Sequence, residues 1–191
     1  MTYNQELRRK AIHLGSSFFP LLYLFLDKQT MLLIVLPLAF GTLLIDFSRR
    51  RIPWLNRLFH KVLGEVLRSD EDTKLTGGSY VMLAMFITIA LFPKSIAIAS
   101  LLILSLGDSA AALIGRPFGH HKIHKDKSWE GSLSFWVVAT IAGALVPGIS
   151  LVAATIAAAT GALVELYLNI IDDNIFIPIA SGLVLTVLLA L

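Results

Sequence analysis

The sequence predicts an all-α, polytopic integral membrane protein: about seven transmembrane helices and one amphipathic helix at the membrane surface. Three observations predict it. Of the 191 residues, 56% are hydrophobic and only 15% are charged, a balance found in membrane proteins rather than soluble domains. The apolar residues collect into runs near the length a helix needs to cross a bilayer, roughly 17–25 residues. The cations also alternate. With the N-terminus in the cytoplasm, 14 of the 16 Lys and Arg residues fall in inner segments, leaving Lys28 and Lys94 outside, as the positive-inside bias requires. One membrane domain, 1–191, accounts for the chain. The absence of cysteine excludes disulfides and thiolate metal sites. No nucleic-acid partner is expected.

The elements follow in order. The first span, about 11–26, comes after the basic "ELRRK"; "DKQT" follows it rather than a small-x-small cleavage site, so it is expected to stay as a helix. The second span covers about 30–47. An interfacial helix is expected over about 52–68, because Trp54/Leu55, Leu58/Phe59, Val62/Leu63 and Val66/Leu67 pair off between Asn56, Arg57, His60, Lys61 and Glu65. That segment reads either as a connector carrying topology cations or as a gate for lipid entry. Spans at about 78–93, 95–115, 131–147, 149–168 and 174–191 complete the set. Pro20, Pro37 and Pro178 lie inside spans and suggest kinks that neighbouring helices accommodate. The helices at 78–93 and 131–147 both begin after a Gly-containing polar turn. Their positive dipole ends point at one aqueous boundary, which suits phosphate.

Every polar cluster of interest falls at that boundary. Asp108 sits inside an apolar run, where an acid costs about 2.5–3.5 kcal/mol on insertion scales and usually faces a partner or a polar cavity. Glu165 and Asp172 are two helical turns apart and can share a face; Asp172, Asp173 and Asn174 also have the residue types of a helix N-cap. Carboxylates beside a phosphate site suit Mg²⁺, so Asp108, Glu130, Glu165, Asp172 and Asp173 are the candidate ligands. The segment 116–127 packs seven cationic or His residues into twelve: Arg116, His120, His121, Lys122, His124, Lys125 and Lys127. Gly115, Pro117 and Gly119 are expected to shape a tight turn there, although no Walker A pattern is present. The three His are read as phosphate or headgroup contacts at most. Lys127 and Glu130 stand three residues apart at a helix entry. Glu6, Arg9 and His13 share a helix face, read either as part of the site or as snorkelling cations at a membrane entry. Lys74, Thr76 and Gly77 are phosphate contacts or simply a helix start.

"GDSAAALIGRPFG" followed by "KSWEGS" and then "ELYLNIIDDNIFIPI" resembles the membrane domain of the CTP-dependent lipid kinases, the family of dolichol kinase, phytol kinase and CTP-dependent diacylglycerol kinase. "RRKAIH" and "KLTGGSY" are similar to that family too, so the resemblance runs from about residue 6 to 180. "KSWEG" also resembles phosphatidate cytidylyltransferases, but their H-G-G turn and D-R-x-D acidic signature are absent. The resemblance implies an enzyme that uses CTP and Mg²⁺ to phosphorylate a membrane lipid alcohol of the polyprenol, phytol or diacylglycerol class. It marks Asp108, Lys127, Glu130, Glu165, Asp172, Asp173 and Asn174 as lying in the family's characteristic segments. The roles are our own reading. Asp108, Lys127, Glu130 and Asp173 are the catalytic candidates, with Asp108 on the lipid hydroxyl. Arg116, Lys122, Lys125, Lys127, Lys74, Thr76, Gly77 and Asn174 are the nucleotide-binding candidates. Two other readings stay open: a cytidylyltransferase making CDP-diacylglycerol, and a non-catalytic membrane protein or transporter.

Overall fold

The computed structural model describes residues 3–67, 71–72, 74–125, 127–168 and 172–190. Arg68, the last residue of the expected interfacial helix, lies outside them. The described chain is helical except for one small hairpin. In order, the elements are α1 (Tyr3–Gly15), α2 (Phe18–Tyr23), α3 (Lys28–Arg49), α4 (Pro53–Leu63), α5 (Gly77–Leu91), α6 (Lys94–Phe118), β1 (Lys122–His124), β2 (Lys127–Ser128), α7 (Trp129–Ala144), α8 (Leu151–Tyr167) and α9 (Asp173–Leu189).

The helix starts follow capping chemistry. Asp27 accepts a bond from Thr30 N at 3.0 Å, Ser128 from Gly131 N at 3.2 Å and Ser150 from Ala153 N at 3.1 Å, each satisfying an amide that has no partner inside the helix. Three boundaries differ from the sequence expectation. The first span is divided into α1 and α2. Pro20 has no N–H to reach the Ser16 carbonyl, and Phe19 N takes that carbonyl at 3.1 Å instead, tightening the turn. The interfacial helix stops at Leu63, with Gly64 as its C-cap. α6 runs through Gly115 and Arg116 to Phe118. The expected turn at Gly115 is therefore helix, and the basic segment begins one turn later, with β1 and β2 pairing antiparallel around Lys125, whose φ is 51°.

α6 is the axis of the bundle. It packs along α7 and touches α1, α2, α5, α8 and α9. Small residues bring these helices close, as membrane helix packing favours: Ala139, Ala142, Ala154, Ala157 and Ala158 are buried. A Cβ at Gly107 would meet the Phe135 ring at 2.9 Å, and one at Gly115 would meet Gly131 Cα at 3.1 Å. The perimeter is the reverse, with Phe25, Leu33, Phe40, Leu145 and Val187 exposed. Among the described residues α3 and α6, with 22 and 25 residues, are the helices long and apolar enough to cross a bilayer alone. α5, α7, α8 and α9 have 15–17 residues, or about 22–26 Å at 1.5 Å per residue. A count of seven spans therefore does not follow from helix length.

The charges are one-sided. The buried charged groups Glu6, Lys10, Asp46, Arg49, Glu71, Asp108 and Glu165 lie toward the end of the bundle where α3, α6 and α8 finish and α5, α7 and α9 begin, with Asp108 further in, ten residues before the end of α6. At the opposite end Lys28 donates to the Ala90 carbonyl at 2.9 Å and Lys94 to the Leu24 carbonyl at 2.9 Å, each capping a neighbouring helix terminus.

Candidate active site

A cavity of about 750 Å³ opens at the charged end, between α1, the last turns of α6, the hairpin and the start of α7. It gathers Asp108, Arg116, Lys122, Lys127, Glu165 and Asp173 from segments up to 65 residues apart, and adds Glu6, Arg9 and Lys10 from α1. Most of these charges are paired. Asp108, 6% exposed, is ion-paired with Lys10, and His13 Nε2 lies 3.4 Å from the same carboxylate oxygen. Lys127 reaches from β2 across the cavity to pair with Glu165. Glu165 is buried, and its other oxygen has no hydrogen-bond partner among the described residues. Glu6 bridges two helices, accepting from Arg9 Nη2 at 2.6 Å and lying 3.1 Å from Arg116 Nη2.

These pairings set the ionisation of the groups at the rim. Burial pushes the Glu6 carboxyl up, but the bond from Arg9, with Lys10 and Arg116 nearby, outweighs it and holds Glu6 below the ordinary glutamate value. For Lys127 burial pulls down and the charges of Glu165 and Asp173 push up, and the charges win. Lys127 thus keeps its charge at the rim. α7 adds the positive end of its dipole, since Ser128, Gly131 and Ser132 in its first turn line the same cavity. Gly131 faces Gly115 without a side chain between, which is what lets α6 and α7 meet beside the cavity.

The other sequence candidates lie elsewhere. Glu130 points to the hairpin. It accepts from His121 N at 3.3 Å and meets His121 Nδ1 at 2.7 Å, and the His121 bond takes its carboxyl down to about 2. The three-residue spacing to Lys127 brings no contact because Lys127 is in a strand, not on the same helix. Lys125 occupies the hairpin turn. Asp172 caps α9 through Asn174 N at 3.0 Å. Lys74, Thr76 and Gly77 stand at the start of α5, where Thr76 N and Thr76 Oγ1 donate to Asp46 at 2.8 and 2.9 Å. Sequence reasoning missed that Asp46 anchors this corner. The same carboxylate accepts from Arg49 Nε at 2.8 Å and Ser79 Oγ at 2.6 Å, and Arg49 donates to the Glu71 carbonyl at 2.6 Å while its guanidinium stacks 4.5 Å over Phe59. The signal was present, since Asp46 is an acid in an apolar run just as Asp108 is. Lys10 was missed as well, though it stands one turn after Glu6.

Among the described residues no three His, Asp or Glu side chains gather as a ready cation cage. Mg²⁺ with a nucleotide needs only one or two carboxylates, the remaining positions going to water and phosphate. Asp173 fits that demand. It lines the cavity and acts electrostatically on Lys127 and Arg9, without a hydrogen bond or ion pair on its carboxylate among the described residues.

Comparison with known proteins bears on what this cavity serves. No family model and no solved structure matches the chain. An uncharacterized protein of Rickettsia prowazekii is 31% identical over 97% of this chain and 95% of its own length. CTP-dependent diacylglycerol kinase 1 of Schizosaccharomyces pombe is 34% identical over 69% of this chain and 62% of its own. The name of this relative supports the CTP-dependent lipid kinase family for this chain. Probable phytol kinase 2 of Glycine max, a chloroplastic protein, is similar at 29% identity over 70% of this chain and 52% of its own. The chain thus spans about half to three fifths of these two named relatives. This chain is an all-α membrane protein whose charged cavity opens at one end of the helix bundle.

Proposed function

We propose that the protein is a membrane kinase that transfers the γ-phosphate of CTP to the hydroxyl of a lipid alcohol, of the diacylglycerol, phytol or polyprenol class. One observation carries the reading: a buried, ion-paired Asp108 stands in a cavity rimmed by Arg9, Arg116, Lys122 and Lys127 and by the N-terminus of α7. In this reading the cations and the α7 amides cradle the triphosphate and stabilise charge as it moves, the main demand of phosphoryl transfer. The lipid hydroxyl oxygen attacks the γ-phosphorus. The bond from that phosphorus to its bridging oxygen breaks, CDP leaves with the electron pair, and the hydroxyl proton passes to Asp108. Lys10 holds Asp108 in place, and Glu165 does the same for Lys127. Mg²⁺, when bound with the nucleotide on Asp173, would neutralise phosphate charge. Glu130, bonded to His121, supports the hairpin in this reading.

We further propose seven spans with the N-terminus and the cavity facing the cytoplasm. The one-sided placement of the cations supports this orientation. One-sided burial of charge gives a transport path no support, since such a path needs polar groups near the midplane and towards both faces.

The test uses purified protein, Mg²⁺, lipid alcohols, phosphatidic acid, and CTP labelled separately at the α and γ positions. Label from the γ position in a lipid product is expected. Label from the α position with release of pyrophosphate would make the protein a cytidylyltransferase, and transfer of neither label would overturn the enzyme reading.

A further inference from the structure

A second cavity, of about 390 Å³, lies beside the first and is of opposite character. Its walls are Phe19 of α2, Phe59 and Leu63 of α4, and Val81 and Met82 of α5. Its polar groups include Arg9, His13 and Asn174. Two of these carry unsatisfied atoms: among the described residues, the buried His13 Nε2 and Asn174 Oδ1 have no hydrogen-bond partner. Asn174 is 3% exposed, so water does not readily supply the missing bond, and an unpaired buried polar atom costs about 1–3 kcal/mol. Arg9 lines both cavities. His13 lies 3.4 Å from Asp108, which lines the first. The two chambers therefore meet at Arg9, His13 and Asp108.

α4 explains how this chamber is reached. Its apolar residues come in adjacent pairs, and the pairs divide. Phe59 and Leu63 turn into the chamber, while Trp54, Leu58 and Val62 are 61%, 49% and 70% exposed. A helix that is apolar inward and along one outer edge, with Arg57 and Lys61 between, suits the bilayer interface. The Asp46–Arg49 anchor fixes α4 over the chamber through the stacked Phe59.

We propose that this second chamber is the acceptor site, taking a lipid alcohol that enters beneath α4. Its hydrocarbon lies against Phe59, Leu63, Val81 and Met82. On binding its hydroxyl donates its one proton to Asn174 Oδ1 beside His13 Nε2, and for transfer the hydroxyl turns that proton to Asp108 at the junction. A hydroxyl suits this end because it both donates and accepts. Among the described residues the chamber's lining carries one arginine, Arg9, against the carboxylate of Glu71, a balance that disfavours a phosphate-bearing lipid. His13 and Asn174 are positioning residues here. The inference rests on the kinase reading for its chemistry, but the site itself can be tested without turnover.

The probe is a photoactivatable diacylglycerol, with a photoactivatable phytol in parallel, irradiated with the intact protein in lipid nanodiscs. Crosslinks are expected on α4, α5 and α1 residues of the chamber, and Leu63→Trp or Met82→Trp should remove them. The two substitutions fill the chamber from different helices, α4 and α5, so a folding defect peculiar to one would not spoil the test. In turnover assays each should raise the lipid KM roughly tenfold or more, as occlusion of an apolar pocket does, while the KM for CTP stays within about twofold. Asn174→Ala should raise the lipid KM and lower kcat. Crosslinks confined to the outer faces of α3 or α9, or lipid kinetics untouched by both Trp variants, would overturn the proposal. If the protein transfers no phosphate yet crosslinks in the chamber, the kinase reading fails and the lipid site stands.

Discussion

Replacing Lys10 by Met removes the partner of a carboxylate that is almost wholly inside the protein. The side chains of Lys10 and Asp108 are 4% and 9% exposed. Breaking a buried pair from one side leaves an uncompensated charge and costs about 3–5 kcal/mol. For a chain of this length each kcal/mol shifts Tm by about 2–4 °C, so a fall of about 6–20 °C is expected. Lys10→Met with Asp108→Leu removes both charges and should recover much of that loss, with a coupling of about 2 kcal/mol in the double-mutant cycle. The assay is thermal unfolding of purified protein in detergent, followed by intrinsic fluorescence, for the four proteins of the cycle. Additive losses, with the double variant as damaged as the sum of the singles, would refute the claim that this pair is a buried, mutually compensating unit.

Further outcomes are expected. Asp108→Asn should keep CTP binding while lowering lipid phosphorylation about 10²–10⁴-fold, the usual worth of a positioned proton acceptor; equilibrium binding and turnover measured on one preparation check it. Lys127→Met should weaken CTP by about tenfold or more, the worth of a charge-assisted contact, with partial rescue in Lys127→Arg. Because the folded-state pKa of Glu6 lies below its ordinary value, its contribution is fully present above about pH 4.5 and is lost as pH falls through the lower folded value. Stability should therefore hold from pH 7 to 5 and drop below that, and Glu6→Gln should flatten the drop. In Gly119→Ala the new Cβ would overlap the Gly115 carbonyl and approach Ser128 Cβ to 2.9 Å. A loss of about 1–3 kcal/mol is expected from overpacking, with loosening of the hairpin that carries Lys127, read by limited proteolysis between α6 and α7.

Much of the architecture was legible because it rests on local chemistry. Asp27, Thr76, Ser128 and Ser150 announce helix starts by residue type alone, and the structure puts each at an N-cap. Helix ends were harder. Pro20 breaks the first span because its missing N–H falls at a turn already loosened by two serines, while Pro117 is tolerated in the last turn of α6, where no further helix depends on it. In the candidate site, Asp108, Arg116, Lys122, Lys127, Glu165 and Asp173 were each visible as charges beside apolar runs, and they line one cavity. Their partners were not visible. Lys127 pairs with a residue 38 positions away and Lys10 with one 98 positions away, and no periodicity along the chain carries that information. Nor could spacing show that Glu130, in the first turn of α7, meets His121 nine residues earlier.

The brevity of α5, α7, α8 and α9 has a bearing on the lipid as well as on the protein. At about 22–26 Å they fall short of a hydrocarbon layer of about 30 Å. A bilayer meets such a deficit by thinning beside the short helices, at a fraction of a kcal/mol per Å. Lys28 and Lys94, tied to helix-end carbonyls at the far side, resist any shift of the bundle that would relieve the mismatch there. With the proposed spans, the dip in the membrane surface forms on the side of α4 and the two chambers. A lipid whose polar end is a single hydroxyl would be carried down with that surface, closer to the depth of Asp108 than it would lie in an undisturbed leaflet. On the proposed kinase reading the membrane is lowered to its reactants, so that the oily substrate need climb only a short way out of the bilayer to be phosphorylated.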